Sequence, residues 1–173
     1  IKEIAHRKSK FPRITFDEAE QELKSIHSDC IEKYIQYNNG WRNITSLGEK
    51  EIIKLHHGLV WITNYDILTV PFYQKFDSHI KGTAKNADLL MGIGETVGCG
   101  ERHSTYKELL ESLKIHEVNK GEYEWYINMK KLKPLNTSGF GMGTERFLMW
   151  VLKASDIRNM QICLRFNGEK DIL

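Results

Sequence analysis

The chain has 173 residues, 40% hydrophobic and 28% charged, a composition typical of one globular domain and unlike that of a disordered or membrane-embedded chain. Its 25 basic and 23 acidic residues leave a formal net charge of +2, too balanced to indicate nucleic-acid binding by itself. The three cysteines and seven histidines lack the spacing of a zinc site, which favours a reducing compartment. No apolar run reaches the length of a membrane span, and we expect a cytoplasmic protein.

Two candidate capping boxes predict helices in the first third of the chain. TFDE (15–18) precedes apolar residues at helical spacing, which predicts a helix to about Tyr37. SLGE (46–49) predicts a second helix that Gly58 can end. Between them, NNGW (38–41) predicts a turn.

The later elements follow from residue type and spacing. β-branched and aromatic residues predict strands, and apolar residues three and four apart predict helices. The predicted strands are 59–65, 71–77, two within 86–103 around a glycine-containing turn, 135–143 and the end of 156–166, and the predicted helices are 105–116, 121–132 and one starting near Gly143. A polar loop is expected at 78–85. Helices grouped around consecutive strands, without a βαβ rhythm, predict an α+β domain with a mostly antiparallel sheet flanked by helices.

Two acidic residues flank the predicted turn MGIG (91–94). If the strands pair around this turn, Asp88 and Glu95 lie near each other on the sheet. Two carboxylates without a local counter-charge suit Mg²⁺, which takes one or two protein oxygens together with phosphate oxygens. The alternative is a pair of ordinary surface acids at strand ends, and the spacing alone leaves both interpretations open.

Arg102 follows Glu95 at an odd spacing, which places the two side chains on opposite faces of a regular strand. Gly98 and Gly100 lie between them and can host a β-bulge that brings Arg102 to the face of Glu95. A planar, permanent cation there is suited to gripping a carboxylate or a phosphate. Otherwise Arg102 is a surface arginine on an edge strand.

Three alternate glycines precede the last predicted helix, in TSGFGMGTERFLMW (137–150). They indicate that something approaches the backbone too closely for a side chain to fit. Arg146 lies in the first turn of this helix, where a cation is mildly unfavourable. It therefore predicts a nearby anion, or a side chain that reaches away from the helix.

Together and in order, these segments resemble class II aminoacyl-tRNA synthetases of the aspartyl/asparaginyl subgroup, including the related asparagine synthetases. GFGMGTERF resembles the family's third signature, Gly-x-Gly-x-Gly-x-Glu-Arg. ADLLMGIGETVGCGER resembles its Asp-Leu-Leu … Gly-Glu-Ile-x-Gly-Gly-x-x-Arg segment. Further similarity lies in FPRITFDEA, LVWITNY, PFYQKFD, EYEWYINMKKL and SDIRNMQICLR. The similarity implies the class II catalytic fold, of which residues 1–173 would form the C-terminal part.

The resemblance also implies roles for the candidate residues. Asp88 and Glu95 match the family's Mg²⁺ and ATP ligands, and Arg146 matches the arginine that lies against adenine and reaches the γ-phosphate. The implied ATP-binding residues are Asp88, Glu95, Gly141, Gly143 and Arg146, of which Glu95 and Arg146 are catalytic, and the implied amino-acid-binding residues are Tyr73, Gly98, Gly100 and Arg102.

The activity implied is ATP-dependent adenylation of Asn or Asp, with Mg²⁺, for transfer to tRNA. Two alternatives remain: a stand-alone amide-forming enzyme that passes adenylated aspartate to ammonia, or a non-catalytic paralogue that binds nucleotide, amino acid or a partner chain. The family's first and second signatures precede the equivalent of FPRITF and are absent from this sequence. We therefore expect a homodimer formed through the missing N-terminal part, and no complete aminoacylation by the 173-residue chain alone.

Overall fold

The computed structural model describes residues 10–161. In chain order, its elements are β1 (Arg13–Thr15), α1 (Phe16–His27), β2 (Ile35–Asn38), β3 (Trp41–Ile44), α2 (Ser46–Leu55), β4 (Leu59–Thr63), β5 (Asn86–Met91), β6 (Gly94–Glu101), α3 (Tyr106–Ile115), α4 (Glu124–Leu132), β7 (Ser138–Met142) and α5 (Thr144–Leu152). Four short 3₁₀ helices join them, at Ser28–Lys33, Ile67–Thr69, Lys120–Tyr123 and Ile157–Met160.

Five of the strands form one sheet, in the order β1-β4-β5-β6-β7. Every pair is antiparallel except β1 with β4, which is parallel. The strands β2 and β3 form a separate antiparallel hairpin. The prediction of an α+β domain with a mostly antiparallel sheet flanked by helices is thus confirmed.

Helices cover both faces of the sheet. On one face α1 and α2 bury a cluster around Phe16, Ile52 and Leu90, all fully buried. On the other face Phe147 and Trp150 of α5 pack against a smaller cluster of strand residues. A third cluster lies between α3, α4 and the segment that follows the 3₁₀ helix at Ile67–Thr69. The face packed against α1 and α2 continues past Leu90 to Asp88, where it becomes the wall of a cavity.

The first predicted capping box is present, because the Thr15 side chain accepts from the Glu18 backbone and the Glu18 side chain accepts from Thr15. The predicted extension of this helix to Tyr37 is wrong. The helix ends at His27, and the chain enters β2 at Ile35. Ile35 is fully buried in the same cluster as the helix, so the apolar spacing came from the shared core and not from one continuous helix. The predicted turn at 38–41 joins β2 to β3.

The second capping box was assigned to the wrong residue. Thr45, not Ser46, caps α2, and its hydroxyl accepts from the Gly48 N–H at 3.2 Å. Glu49 therefore does not return a bond to the cap, and its carboxylate accepts instead from the backbone N–H of Glu95 in β6. Gly58 closes the helix end as expected, because its N–H donates to the carbonyl of Ile53 at 2.8 Å.

The predicted strand at 71–77 is also wrong. Only isolated bridges form there, Gln74 with Arg102 and Phe76 with Ala84, because a turn closed by the Gln74 N–H and the Pro71 carbonyl interrupts the segment. The other predicted elements within residues 10–161 are present, with shifts of a few residues at their ends. The strand predicted at the end of 156–166 lies outside the described residues, as does Cys163.

Candidate active site

A cavity of about 690 Å³ lies where β5, β6 and β7 meet the start of α5 and the segment 69–74. Eight of the nine predicted site residues line it: Tyr73, Asp88, Glu95, Gly98, Arg102, Gly141, Gly143 and Arg146. The ninth, Gly100, lies beneath one of the side chains that line it. The structure thus brings together residues that are up to 73 positions apart in the chain.

A β-bulge in β6 explains how Glu95 and Arg102 come to share a face. Leu90 pairs with Glu95 whereas Leu89 pairs with Val97, so Thr96 is an extra residue in the ladder. The Thr96 hydroxyl donates to the Met91 carbonyl at 3.2 Å, which fixes the bulge. The predicted bulge therefore exists, but it lies at Thr96 and not at the two glycines that follow.

The two predicted acids meet above Gly98. A Cβ built on Gly98 would lie 2.7 Å from Glu95 Oε1 and 3.3 Å from Asp88 Oδ1, so both carboxylates occupy the space over this glycine. Burial is the main reason that the pKa of Asp88 is raised to about 7. The charge of Glu95 raises the same pKa further.

Glu49 is a third acid at this site, and sequence analysis missed it. Its carboxylate accepts a hydrogen bond from the Glu95 N–H at 3.3 Å. Burial raises the pKa of Glu49, and the Glu95 charge adds to that effect. In the sequence, Glu49 follows Ser46 by three residues, a spacing typical of a capping box. Its contact with β6 depends on how the sheet is assembled.

The donor set fits a magnesium ion that is shared with a phosphorylated ligand. Within residues 10–161, no three His, Cys, Asp or Glu side chains are arranged to hold a metal ion by themselves. The Asp88 and Glu95 carboxylates supply two oxygens on one side, which leaves the remaining positions of an octahedral Mg²⁺ for phosphate and water oxygens. A bound cation would also lower the raised pKa values of the acids at this site.

Arg146 lies beside an anion, as its position in the first turn of α5 predicted. Its Nη1 donates to the backbone carbonyl of Glu95 and lies 3.8 Å from Glu95 Oε2. Both side chains are 45% exposed, so this is a solvent-accessible pair at the rim of the cavity. The guanidinium therefore remains available to a second, stronger anion.

Gly141 lies in β7 and Gly143 is the N-cap of α5, and the two glycines differ in what surrounds them. A Cβ on Gly141 would meet no protein atom within 4 Å, whereas one on Gly143 would touch the aliphatic part of Arg146 at 3.4 Å. Packing within the protein therefore does not require glycine at Gly141, which faces open cavity. That something approaches this backbone too closely for a side chain to fit stays a prediction.

Arg102 lies at the other end of the cavity. Its guanidinium stacks on the Tyr73 ring at 4.4 Å, and its backbone N–H donates to the Thr137 carbonyl at 2.8 Å. A Cβ on Gly139 would lie 3.2 Å from Arg102 Nη2, so this glycine makes room for the arginine. Nη1 of Arg102 is buried and has no hydrogen-bond partner within the described chain.

Residues 1–163 match the family model of tRNA synthetases class II (D, K and N). The chain belongs to this family. An asparagine–tRNA ligase of Pyrococcus abyssi is 31% identical over 151 residues, which make up 86% of this chain and 33% of the relative. In Encephalitozoon cuniculi, a protein named probable asparagine–tRNA ligase, cytoplasmic, is 35% identical over 99 residues, 57% of this chain and 22% of the relative.

A solved structure supports the same class II synthetase fold. Asparaginyl-tRNA synthetase from Pyrococcus horikoshii, complexed with asparaginyl-adenylate, matches with a TM-score of 0.76 and 28% identity over 88% of this chain and 34% of that chain. This class II synthetase chain thus spans about a third or less of the length of these relatives. Among its described helices, none has the length and apolar character needed to cross a membrane.

Proposed function

We propose that this chain carries the ATP- and amino-acid-binding face of an asparaginyl- or aspartyl-type tRNA synthetase. The observation that carries the proposal is the convergence of Asp88 and Glu95 over Gly98 in one cavity with two arginines, Arg102 and Arg146. Two acids at one end suit a metal-bound triphosphate, and the arginine at the other end, whose Nη1 is buried, suits a polar amino-acid side chain.

The nucleotide would lie along β7 and the start of α5. Gly141 leaves the backbone uncovered, so a flat base or ribose can rest on it. Arg146, at the rim of the cavity, would exchange its exposed contact with Glu95 for a phosphate and lie over the base. Mg²⁺ bound by Asp88 and Glu95 would neutralise phosphate charge.

The reaction proposed is adenylation. A carboxylate oxygen of the amino acid attacks the α-phosphorus, the bond to the β-phosphate oxygen breaks, and pyrophosphate leaves with that electron pair. The residues of this chain position the two substrates and stabilise negative charge, and none of them forms a covalent bond. Arg102 would hold the side chain of the amino acid. The carboxylate of the amino acid would then face the α-phosphate, at the end of the cavity that contains the two acids.

The neighbouring structure supports asparagine as the amino acid, since the Pyrococcus horikoshii enzyme was solved with asparaginyl-adenylate. The proposal includes tRNA as the acceptor, because the two similar ligases carry tRNA ligase names. It also includes a homodimer and a cytoplasmic location, the latter in line with the name of the Encephalitozoon cuniculi relative.

The test is calorimetric binding of ATP with Mg²⁺ to the parent chain and to a double variant, Asp88→Asn with Glu95→Gln. Both substitutions keep the side-chain size and remove the charges, so we expect affinity to fall by at least about tenfold. A matched control double variant, Asp29→Asn with Glu122→Gln, changes two exposed acids outside the cavity and should bind as the parent does.

Equal affinity of the parent and the Asp88/Glu95 double variant would refute the nucleotide site. Pyrophosphate exchange with each of the twenty amino acids then identifies the substrate, and a preference for an apolar amino acid would contradict the role given to Arg102. In a protein that also contains the family's first and second signatures, adenylated aspartate that is captured by ammonia, with no transfer to tRNA, would favour the amide-forming alternative.

A further inference from the structure

Of the three acids of the candidate site, Glu49 does not line the cavity. Its carboxylate accepts a hydrogen bond from the backbone N–H of Glu95 at 3.3 Å. It also fills the space beside Gly94, because a Cβ built on that glycine would collide with Glu49 Oε2. A side chain that contacts a proposed metal ligand from outside the cavity is placed to orient that ligand and not to bind the metal itself.

The backbone around Glu95 is irregular, so strand pairing alone does not fix its direction. Thr96, the next residue, is the extra residue of the bulge. Gly94, the residue before, has a φ of 146°, in the region that favours glycine. The Glu95 side chain is 45% exposed, so packing does little to orient it. Hydrogen bonds to the peptide groups of Glu95 therefore decide where its carboxylate points.

Two helices hold Glu95 through its two peptide groups. Glu49 of α2 accepts from its N–H, and Arg146 of α5 donates through Nη1 to its carbonyl. In the function proposed above, Arg146 exchanges its contact with Glu95 for a phosphate when the nucleotide binds. The hydrogen bond from Glu95 to Glu49 then remains to hold this part of β6 in place.

The first turn of α2, which carries Glu49, is itself firmly anchored. At its N-cap, the Thr45 N–H donates to the Tyr34 carbonyl at 2.9 Å, and the Thr45 hydroxyl donates to the Lys33 carbonyl at 2.6 Å. Gly48 brings the helix against the same segment, because a Cβ there would lie 3.2 Å from the carbonyl carbon of Tyr34. A group that positions another residue needs a rigid support, and Glu49 has one.

We propose that Glu49 is a positioning residue that holds Glu95 in the orientation needed to share Mg²⁺ with the nucleotide. This inference rests on the function proposed above and adds a residue to it. The effect comes from the acceptor oxygen that Glu49 provides at the Glu95 N–H, and it does not require the negative charge of Glu49. Loss of such a supporting contact typically lowers metal affinity about tenfold to a hundredfold.

Two substitutions separate the acceptor oxygen from the charge. Glu49→Gln keeps an oxygen at the same reach and removes the charge, whereas Glu49→Asp keeps the charge and withdraws the oxygen by one methylene group. The measurement is the calorimetric affinity for ATP with Mg²⁺ at about pH 8.5, where Asp88, with a pKa of about 7, is ionised. We expect Glu49→Gln to bind within about threefold of the parent chain, and Glu49→Asp to bind about tenfold to a hundredfold more weakly.

The matched controls are Glu51→Gln and Glu51→Asp, the same two changes on the same helix at a residue that pairs with Lys54 and does not line the cavity. Both should bind ATP with Mg²⁺ as the parent does. A second measurement needs no substitution: hydrogen exchange of the Glu95 amide, followed by NMR in the parent chain with and without ATP and Mg²⁺. We expect this amide to be protected in both states, since its bond to Glu49 persists when Arg146 moves to the phosphate.

The inference is wrong if Glu49→Asp binds ATP with Mg²⁺ as tightly as the parent, or if Glu49→Gln loses as much affinity as Glu49→Asp. A Glu95 amide that exchanges freely in the nucleotide complex also contradicts it, and this result does not depend on the folding of any variant. In these cases the proposed function stands, because the parent binds the nucleotide. A parent that does not bind ATP with Mg²⁺ overturns the proposed function, and this inference with it.

Discussion

Glu49 on α2 accepts a hydrogen bond from the backbone N–H of Glu95 on β6, at 3.3 Å. This contact joins the helical layer to the strand that carries one of the two acids over Gly98. It also places a third carboxyl group close enough to Asp88 to raise its pKa, behind the effects of burial and of Glu95. The site therefore concentrates negative charge where a cation would bind.

The first prediction concerns that charge. Glu49→Gln keeps an oxygen that can accept from the Glu95 N–H but removes one like charge, so the pKa of Asp88 should fall below its present value of about 7. The measurement is a carbon-13 titration of the Asp88 carboxyl group. Glu51→Gln, on the same helix, is the control and should leave that pKa in place. An unchanged Asp88 titration in Glu49→Gln would contradict the coupling.

The second prediction concerns stability at acid pH. His103 is 1% exposed, its two ring nitrogens have no hydrogen-bond partner within the described chain, and burial lowers its pKa from 6.5 to about 4. The unfolded chain binds this proton at higher pH than the folded chain does. The stability that His103 contributes is therefore lost as pH falls from about 6.5 to about 4, with an upper bound of about 3 kcal/mol.

His103→Phe tests this dependence, because phenylalanine fills the space and cannot be protonated. We expect the free energy of unfolding, measured by urea titration, to depend less on pH in the variant between about 4 and 6.5. It should be equal to or above the parent value at pH 7, since two unsatisfied polar atoms are removed. His79→Phe, at an exposed position, is the control. Parallel pH curves for the parent and His103→Phe would rule out this role for His103.

The third prediction separates folding from nucleotide binding at β7. Gly141→Val should leave thermal stability unchanged or raise it, because no protein atom lies within 4 Å of the added Cβ and valine favours strands. The same side chain would fill the space proposed for ATP, so affinity for ATP with Mg²⁺ should fall by about tenfold or more. Stability and affinity are compared with those of Gly121→Ala, a variant at an exposed position in the 3₁₀ helix Lys120–Tyr123. Unaltered ATP binding in Gly141→Val would show that the nucleotide lies elsewhere.

The fourth prediction concerns Arg146, the cation at the rim of the cavity, and its contribution to ATP binding. Arg146→Ala should weaken ATP binding by about tenfold to a hundredfold, because a charge-assisted contact with phosphate is lost and the Glu95 carboxylate loses its neighbouring cation. Arg158→Ala removes an exposed arginine that pairs with Asp156, outside the cavity, and should have no effect on binding. Similar affinities of the two variants would exclude Arg146 from the nucleotide site.

Local signals predicted much of this fold, because they depend on near neighbours. The capping box at Thr15 and the glycine turn between β5 and β6 are short-range features, and both are present. Residues 28–37 were assigned to a helix because buried residues in a 3₁₀ helix and a strand can mimic helical spacing when they share one core. Spacing reports which residues are buried, and the pairing that buries them depends on distant parts of the chain.

The candidate site also contains some residues that the sequence predicted and others that it did not. Sequence motifs identified the residues that carry charge or leave the backbone bare, such as Asp88, Arg146 and Gly141. Sequence analysis missed Glu49 because the local pattern of its segment predicted another role, that of a helix cap. Its place in the site depends on a contact with Glu95 of β6, which is 46 positions away in the chain. No periodicity within one segment reports such a contact.

The extra residue at Thr96 is what brings Glu95 and Arg102 to one face despite their odd spacing. A regular strand of the same length would turn one of the two side chains to the opposite face. Every side chain proposed to bind a ligand would still be encoded, yet the phosphate end and the amino-acid end would no longer open into one chamber. A strand that is one residue shorter and has no bulge would keep both side chains on one face, so a search for divergent relatives of this chain should accept a one-residue gap at this position.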